Sequence, residues 1–366
     1  MTSPVTTPNH AGPTHVARWD LDKTYLRTDF DTVRDLVRTA FERPDQKRTV
    51  PGAAALLRQL AKAGVETHIL SGSPEQLRAR IVEKLRLDGV RYASLRLKPN
   101  LQNMLRLRFR ALRGQLGYKL PALLLGRCEL ASQTLATGLP RAVDEKQAPR
   151  LLQEVLLGDD AEADAFVYSL YADICRGAVP PETLRAVLKH GGAYDDTIRD
   201  AERYAQYVTK GEVVERILIH LERQSSPSDF AVFGPRVVPF FNYLQAAFVL
   251  FEDGRIPAKA VVAVASELVV VHNFQRAGLA RSFADLERRG HLRGARREEL
   301  TGEIDELVRQ GHPASSDLLA MCEEIERFSS RPNAAAARPL PEIDYMTLVR
   351  DHNPRHKKAR RSSTSR

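Results

Sequence analysis

Between residues 15 and 176 the chain alternates short apolar runs with stretches of helical periodicity, and that alternation limits the fold more than any other feature. Strands separated by helices pair in parallel and are buried on both faces, the pattern of an α/β domain. Val16–Trp19 is a short apolar strand that runs into Asp20. Phe30, Val33, Leu36, Val37 and Phe41 keep a 3.6-residue period, so a helix is expected there. Pro51 opens a second helix that contains Ala55, Leu56, Leu57, Leu60 and Ala61, and Gly64 stops it. Glu66–Leu70 reads as a strand, Pro74–Leu85 as a helix and Val90–Leu97 as a further strand. Residues 101–135 read as helical, Val155–Leu157 as a strand and 162–176 as a helix. The expected class is α/β, with a Rossmann-like parallel sheet in a domain over 15–210.

From Gly211 the expectation changes to an all-helical extension over 211–330. Val213–Leu221 is amphipathic, Val237–Phe251 and Ala258–Phe274 are apolar stretches separated by Glu252-Asp253-Gly254, and 297–329 is charged and helical. The first apolar stretch is too short to span a bilayer and is expected to be a buried helix against the second, with a membrane-lying helix as the alternative. Residues 1–14 and 331–366 are expected to be disordered tails, the second Pro/Ala-rich and then basic.

Composition removes several classes. The chain has 366 residues, of which 43% are hydrophobic and 28% charged, enough apolar content for a core. Cys128, Cys175 and Cys322 lie too far apart for a disulfide framework or a zinc-finger spacing. The first thirteen residues lack the apolar segment of a signal peptide, and no run of about 18 apolar residues predicts a spanning helix. A cytoplasmic, soluble protein is expected, with peripheral attachment to a membrane as a further option. The net charge of +9 favours an anionic partner.

Three strand ends carry polar clusters, and ligands of open α/β sheets bind at that edge. The first is Asp20-Leu21-Asp22-Lys23-Thr24, a D-x-D-x-T pattern. One carboxylate of such a pair can attack phosphorus, and the other can protonate the leaving oxygen and then deprotonate water. The same residues also make an ordinary solvated strand end with Thr24 helping to close a turn. The second is Ser71-Gly72-Ser73-Pro74-Glu75-Gln76, where Ser73, Pro74 and Gln76 fit a capping box. Ser71 and the backbone N–H groups around it, at Gly72 among them, suit a phosphate oxygen. The third is Gly158-Asp159-Asp160-Ala161-Glu162-Ala163-Asp164, four acidic residues just after a strand. Like charges this close are costly unless a cation such as Mg2+ neutralises them, although acids at a helix N-terminus also gain from the helix dipole. Taken together, the three ends make a phosphoryl-transfer site.

That ordered set resembles the haloacid dehalogenase superfamily, and within it the catalytic domain of the actin-patch-associated type of phosphatidate phosphatase. Pro51-Gly52 resembles that family too, and the likeness covers about 15–175. The resemblance implies that Asp20 is a nucleophile that becomes phosphorylated, and that Asp22 is the general acid and base with its backbone carbonyl on Mg2+. It further implies that Ser71 holds phosphoryl oxygens, that Asp159 is a direct metal ligand, and that Asp160 or Asp164 holds the metal's water shell. A lysine should neutralise the phosphoryl group. Lys119 is the first choice and Lys146 the alternative, and either also reads as a solvated surface lysine. Three features depart from the family pattern: Lys23 in place of a third Asp, Gly-Asp-Asp-Ala-Glu at the last motif, and an insertion-like stretch over 131–150. The short segments between motifs leave no room for a large cap, and an open site suits a bulky or membrane-held substrate.

From Arg91 to Lys119 no acidic residue occurs, and Arg91, Arg96, Lys98, Arg106, Arg108, Arg110 and Arg113 lie among apolar neighbours. Such a segment suits an anionic lipid surface, with nucleic acid as the rival and a solvated helix face as the plain reading. Arg355–Arg361 adds a basic tail. The expected activity is an Mg2+-dependent phosphomonoesterase acting on phosphatidate or a related lipid phosphate. The alternatives are a phosphatase for a non-lipid phosphomonoester and a non-catalytic interaction protein on the same fold.

Overall fold

Strand β1 (His15–Asp20) is buried along almost its whole length, as a strand covered on both faces must be. It belongs to a computed structural model that describes residues 15–26, 49–98, 112–136, 151–294, 296–328 and 339–351. After β1 come helix α1 (Ala53–Lys62), strand β2 (Glu66–Pro74), a 3-10 turn (Glu75–Leu77), helix α2 (Arg78–Leu87), strand β3 (Ser94–Lys98) and helix α3 (Leu112–Ala136). Strand β4 (Gln153–Asp159) is followed by helices α4 (Asp164–Arg176), α5 (Pro181–His190) and α6 (Asp195–Tyr207). Strands β5 (Val214–His220) and β6 (Val237–Phe240) complete the sheet. Helices α7 (Tyr243–Glu252), α8 (Ala258–Val270), α9 (Arg276–Arg288), α10 (Arg297–Arg309), α11 (Ser315–Phe328) and α12 (Tyr345–Asp351) follow.

The six strands form one parallel sheet in the order β3-β2-β1-β4-β5-β6. Chain order runs one way from β1 to β3 and the other way from β4, so the sheet reverses direction between β1 and β4. A crevice opens at such a reversal, above the carboxyl ends of the two strands. Asp20 and Asp159 are the last residues of β1 and β4 and stand on its two sides.

Each face of the sheet carries its own core. Ala17 and Trp19 join one cluster with Leu56 and Leu57 of α1, Phe248 of α7 and Val261 of α8. Leu156 of β4 and Ile217 of β5 face the other, with Leu120 of α3, Phe166 of α4 and Leu188 of α5. Arg18 lies between Ala17 and Trp19 in sequence and therefore turns to the opposite face. Its guanidinium grips buried Glu154 of β4 through Nε at 2.9 Å and Nη2 at 3.1 Å. Arg127 of α3 at 3.0 Å and the Tyr171 hydroxyl at 2.8 Å complete the shell of that carboxylate.

The all-helical extension expected from 211 is corrected. Val213–Leu221 holds strand β5, and Val237–Phe251 splits into strand β6 and helix α7. Ile217, Leu218 and Ile219 are all fully buried, one after another, as in a strand covered on both faces. In so short a run this pattern cannot be told from a buried helix by periodicity. Pro239 cannot donate to a ladder and sits in the last strand of the sheet, where no further strand asks it to. Asn242 then caps α7 by accepting from the Gln245 N–H at 3.3 Å. The expectation that this apolar helix lies buried against 258–274 agrees with α7, which packs on α8. Among the described residues no helix is long and apolar enough to cross a membrane.

The last stretch is corrected as well. Residues 345–351 form α12, with Tyr345 and Val349 buried and the Tyr345 hydroxyl donating to Asp173 of α4 at 2.7 Å. The helix expected at 30–41, the tail 1–14, Arg106, Arg108, Arg110 and the basic run 355–361 lie outside the described residues.

Glu154 satisfies two buried arginines, so removing it strands two charges. Replacing Glu154 with Ala should cost about 3–5 kcal/mol of stability, read as a lowered urea midpoint. An unchanged midpoint would show that the two arginines need no counter-charge.

Candidate functional site

Immediately after Asp20 the chain folds into a tight turn. The Leu21 carbonyl accepts from the N–H groups of Tyr25 at 3.0 Å and Leu26 at 2.9 Å, and the Lys23 N–H donates to Leu26 O at 2.9 Å. Lys23 takes the left-handed conformation at φ 59°, which few non-glycine residues adopt. The turn brings Thr24 back over the strand end, where its hydroxyl lies 3.3 Å from an Asp20 oxygen and 3.4 Å from an Asp159 oxygen.

Asp22 points to the end of β2. Its carboxylate accepts from the Ser71 hydroxyl at 2.8 Å and from the Ser73 hydroxyl at 2.9 and 3.1 Å. The Ser73 N–H donates to Ser71 Oγ at 2.9 Å, which fixes that hydroxyl's direction. The capping box expected at Ser73, Pro74 and Gln76 is therefore corrected. Residues 71–74 continue β2, the turn after them begins at Pro74 without a side-chain cap, and Ser73 gives its hydroxyl to Asp22 instead. Gly72 has no left-handed φ, and an added Cβ would meet no atom of the described residues within 4 Å, so among these neither backbone conformation nor space reserves the position for glycine.

The charged centre gathers at β4. Asp20, Asp159, Glu162 and Asp164 offer carboxylate oxygens that all lie within 4.8 Å of one another. Lys119, fully buried on α3, reaches into this group: Nζ is 3.0 Å from Asp20, 2.8 Å from Glu162 and 2.5 Å from Asp164. Lys119 is thus the lysine that meets the acid cluster, and Lys146 lies outside the described residues. Asp159 is held by the N–H groups of Ala161 at 2.6 Å and Glu162 at 2.9 Å. Gly158 makes the turn of the cluster sterically possible, because a Cβ there would stand 2.3 Å from Asp164 Oδ2.

Of the two residues the resemblance offers for the metal's water shell, Asp164 joins the cluster and Asp160 does not. Asp160 turns outward and accepts from the N–H groups of Arg223 at 2.8 Å and Ser225 at 3.1 Å, so it pins the loop after β5. Glu162 takes the place in the cluster that spacing alone did not assign. The only sequence signal for it was its membership of the acidic run.

Electrostatics match this geometry. Burial pushes the carboxyl groups of Asp20 and Asp159 well above their usual range, and the neighbouring carboxylates add to the shift. Asp164 is raised to about 6 by burial and by Glu162, against the pull of Lys119. Burial and Glu162 also raise Asp22, against the pull of its two serine donors. Burial alone would lower Lys119, yet Asp164, Asp20 and Glu162 hold it well above the ordinary lysine value. Four carboxylates against one ammonium leave an excess of three negative charges when all are ionised. An all-oxygen group of that charge fits a hard cation, so the cluster could hold a metal ion.

Of the basic residues expected near the site, Arg91 precedes β3, at the sheet edge away from the site, and is exposed, and Arg96 ion-pairs with Glu129 of α3. Lys98, the last residue of β3, is half-buried; burial lowers its ammonium's pKa while Glu162 opposes that shift.

Two measurements check this site. Gly158→Ala should lower the melting temperature and abolish cation-induced stabilisation, because Asp164 must move; a variant that still gains stability from Mg2+ would contradict this. Asp164 keeps its proton in the folded chain up to about pH 6 but loses it near pH 4 when unfolded. The folded state thus binds more protons between those values, so this group's contribution to stability falls as pH rises through that window. Added Mg2+ should accordingly raise the melting temperature more at about pH 7.5 than at about pH 5. An equal rise at both would rule the cluster out as the cation site.

Compared with protein-family models, with curated proteins and with solved structures, the chain matches none.

Proposed function

We propose that the protein is an Mg2+-dependent phosphomonoesterase acting through an aspartyl-phosphate intermediate. The observation that carries this reading is the division of labour between two carboxylates two residues apart. Asp20 is fully buried beside Lys119, whereas Asp22 is half-buried between two serine hydroxyls. The resemblance to the haloacid dehalogenase superfamily supports the same assignment.

An Asp20 oxygen attacks phosphorus as the bond to the ester oxygen breaks, and Asp22 gives its proton to the departing oxygen. The raised value of Asp22 suits it to arrive protonated. In the second half, Asp22, now a carboxylate steadied by Ser71 and Ser73, takes a proton from water. The resulting hydroxide attacks the aspartyl phosphate, the P–O bond to Asp20 breaks, and phosphate leaves. Lys119 pulls Asp20 toward the ionised form that attacks, against the effect of burial, and offers its ammonium to the transferring group. Asp20, Asp159, Glu162 and Asp164 would hold the cation, which supplies charge neutralisation for the phosphoryl oxygens.

The substrate is proposed to be phosphatidate or a related lipid phosphate. This rests on the family resemblance and on the lysines and arginines of the 91–119 segment. A soluble phosphomonoester is the alternative within the same chemistry.

Asp20→Asn should abolish phosphate release from an aryl phosphate in Mg2+, and Asp22→Asn should lower kcat by about 100-fold or more. Absence of Mg2+-dependent release by wild type across a panel of phosphomonoesters would end the enzyme reading. Rates on soluble phosphosugars equal to those on phosphatidate vesicles would end the lipid assignment.

A further inference from the structure

The geometry points to His220 and Tyr243 as positioning residues for the Asp20–Asp22 loop, which makes β5, β6 and the start of α7 part of the catalytic apparatus. This inference rests on the phosphatase reading for its kinetic consequences and on loop geometry for the rest.

The loop presents two consecutive carbonyls, of Lys23 and Thr24, toward the far half of the sheet, and each meets a side chain there. His220 Nδ1 lies 3.2 Å from Lys23 O. A carbonyl can only accept, so Nδ1 must carry the hydrogen, which fixes the ring's donor side. The Tyr243 hydroxyl donates to Thr24 O. Both donors act where the backbone needs holding. Lys23 has a positive φ, and a residue stays in that region only when its surroundings over-determine it.

The two rings are themselves fixed. His220 stacks on Tyr243 at 5.6 Å between centroids, and Tyr243 stacks on Trp19 of β1 at 5.7 Å with planes 11° apart. Phe240 of β6 closes on His220 at 5.4 Å and on Tyr243 at 5.2 Å. Trp19, Phe240 and Tyr243 are fully buried and His220 nearly so. Gly52 lets Tyr243 approach: it has φ 83°, and a Cβ there would stand 3.0 Å from the tyrosine Cβ. This accounts physically for the glycine of the Pro51-Gly52 pair.

His220 also ties the second acidic loop. It stands opposite Asp159 in the β4–β5 register, and its carbonyl accepts from the Asp160 N–H at 3.0 Å. One residue therefore bonds the loop after Asp20 through its side chain and the loop after Asp159 through its main chain. A role in packing alone would need the rings but not the two donors aimed at loop carbonyls. The separation of Asp20 from Asp159, and hence the cation site between them, depends on those donors.

The test uses the full chain with Tyr243→Phe and His220→Phe, which keep the ring and remove the donor, and His220→Asn, which returns an N–H near the Nδ1 position. Aryl phosphate kinetics in Mg2+, calorimetric Mn2+ affinity and melting temperature are read together. Each Phe variant should lose roughly 10-fold in kcat and in Mn2+ affinity, the usual scale for partners that orient ligands, with KM changed less than about twofold. His220→Asn should recover most of the loss. Wild-type kcat and Mn2+ affinity in both Phe variants would overturn the inference, as would a loss in His220→Phe that Asn does not restore. If wild type releases no phosphate from any ester, the phosphatase reading falls. Mn2+ affinity alone then decides: weakening in both Phe variants upholds loop positioning, and no change overturns it.

Discussion

A single buried ammonium holds together the charged centre on which the site depends. Lys119 contacts three carboxylates while fully excluded from water. An isolated charge in that place would be prohibitively costly, and so would the acids without it. The cluster remains over-acidic even with Lys119 present, and burial together with the neighbouring carboxylates holds the pKa values of Asp20 and Asp159 well above their usual range. Such a site is poised to exchange protons for a cation. Its electrostatic imbalance is local, and it is opposite in sign to the net charge of the chain as a whole.

The sheet explains how so few elements assemble this centre. Asp20 and Asp159 end neighbouring strands at the point where strand order reverses, and Ser71 and Ser73 stand at the end of the next strand out. Lys119 comes from the helix covering that face. On the far side, β5 and β6 extend the sheet and supply the aromatic shelf under the turn. The helix that carries Lys119 also reaches a second buried ionic group through Arg127, at Glu154, so one face of this sheet encloses two charge clusters of different composition.

Much of this was legible in the residues. Val16–Trp19 running into Asp20, and Val155–Leu157 running into Gly158-Asp159, marked two strand ends because apolar runs of that length stop where charge begins. Lys119 could be named because the family resemblance asks for a lysine ahead of the third motif and Lys119 stands in the helical stretch before that strand, with Lys146 as the alternative. Other features were not legible. Val214–His220 reads as helix or strand with equal ease, because a fully buried strand loses the alternation that would identify it. Ser73-Pro74 carries the residues of a helix cap, but hydrogen bonds to Asp22, 51 positions earlier, outweigh the local preference. The outward turn of Asp160 depends on the loop at 223–225, a partner that no local spacing reveals.

The distance along the chain between the Asp20 turn and its supports has a consequence for biosynthesis. The turn is made within the first 26 residues, yet the side chains that bond its carbonyls lie at 220 and 243. During translation the acidic residues of β1 and β4 both leave the ribosome before either donor exists. Domains generally fold as units, and this one includes β5 and β6 in its sheet. Between the synthesis of Asp164, the last acid of the cluster, and that of Tyr243 the nascent chain therefore holds all four acids without both braces, and the backbone of the turn can reach its final form only when α7 has begun to emerge.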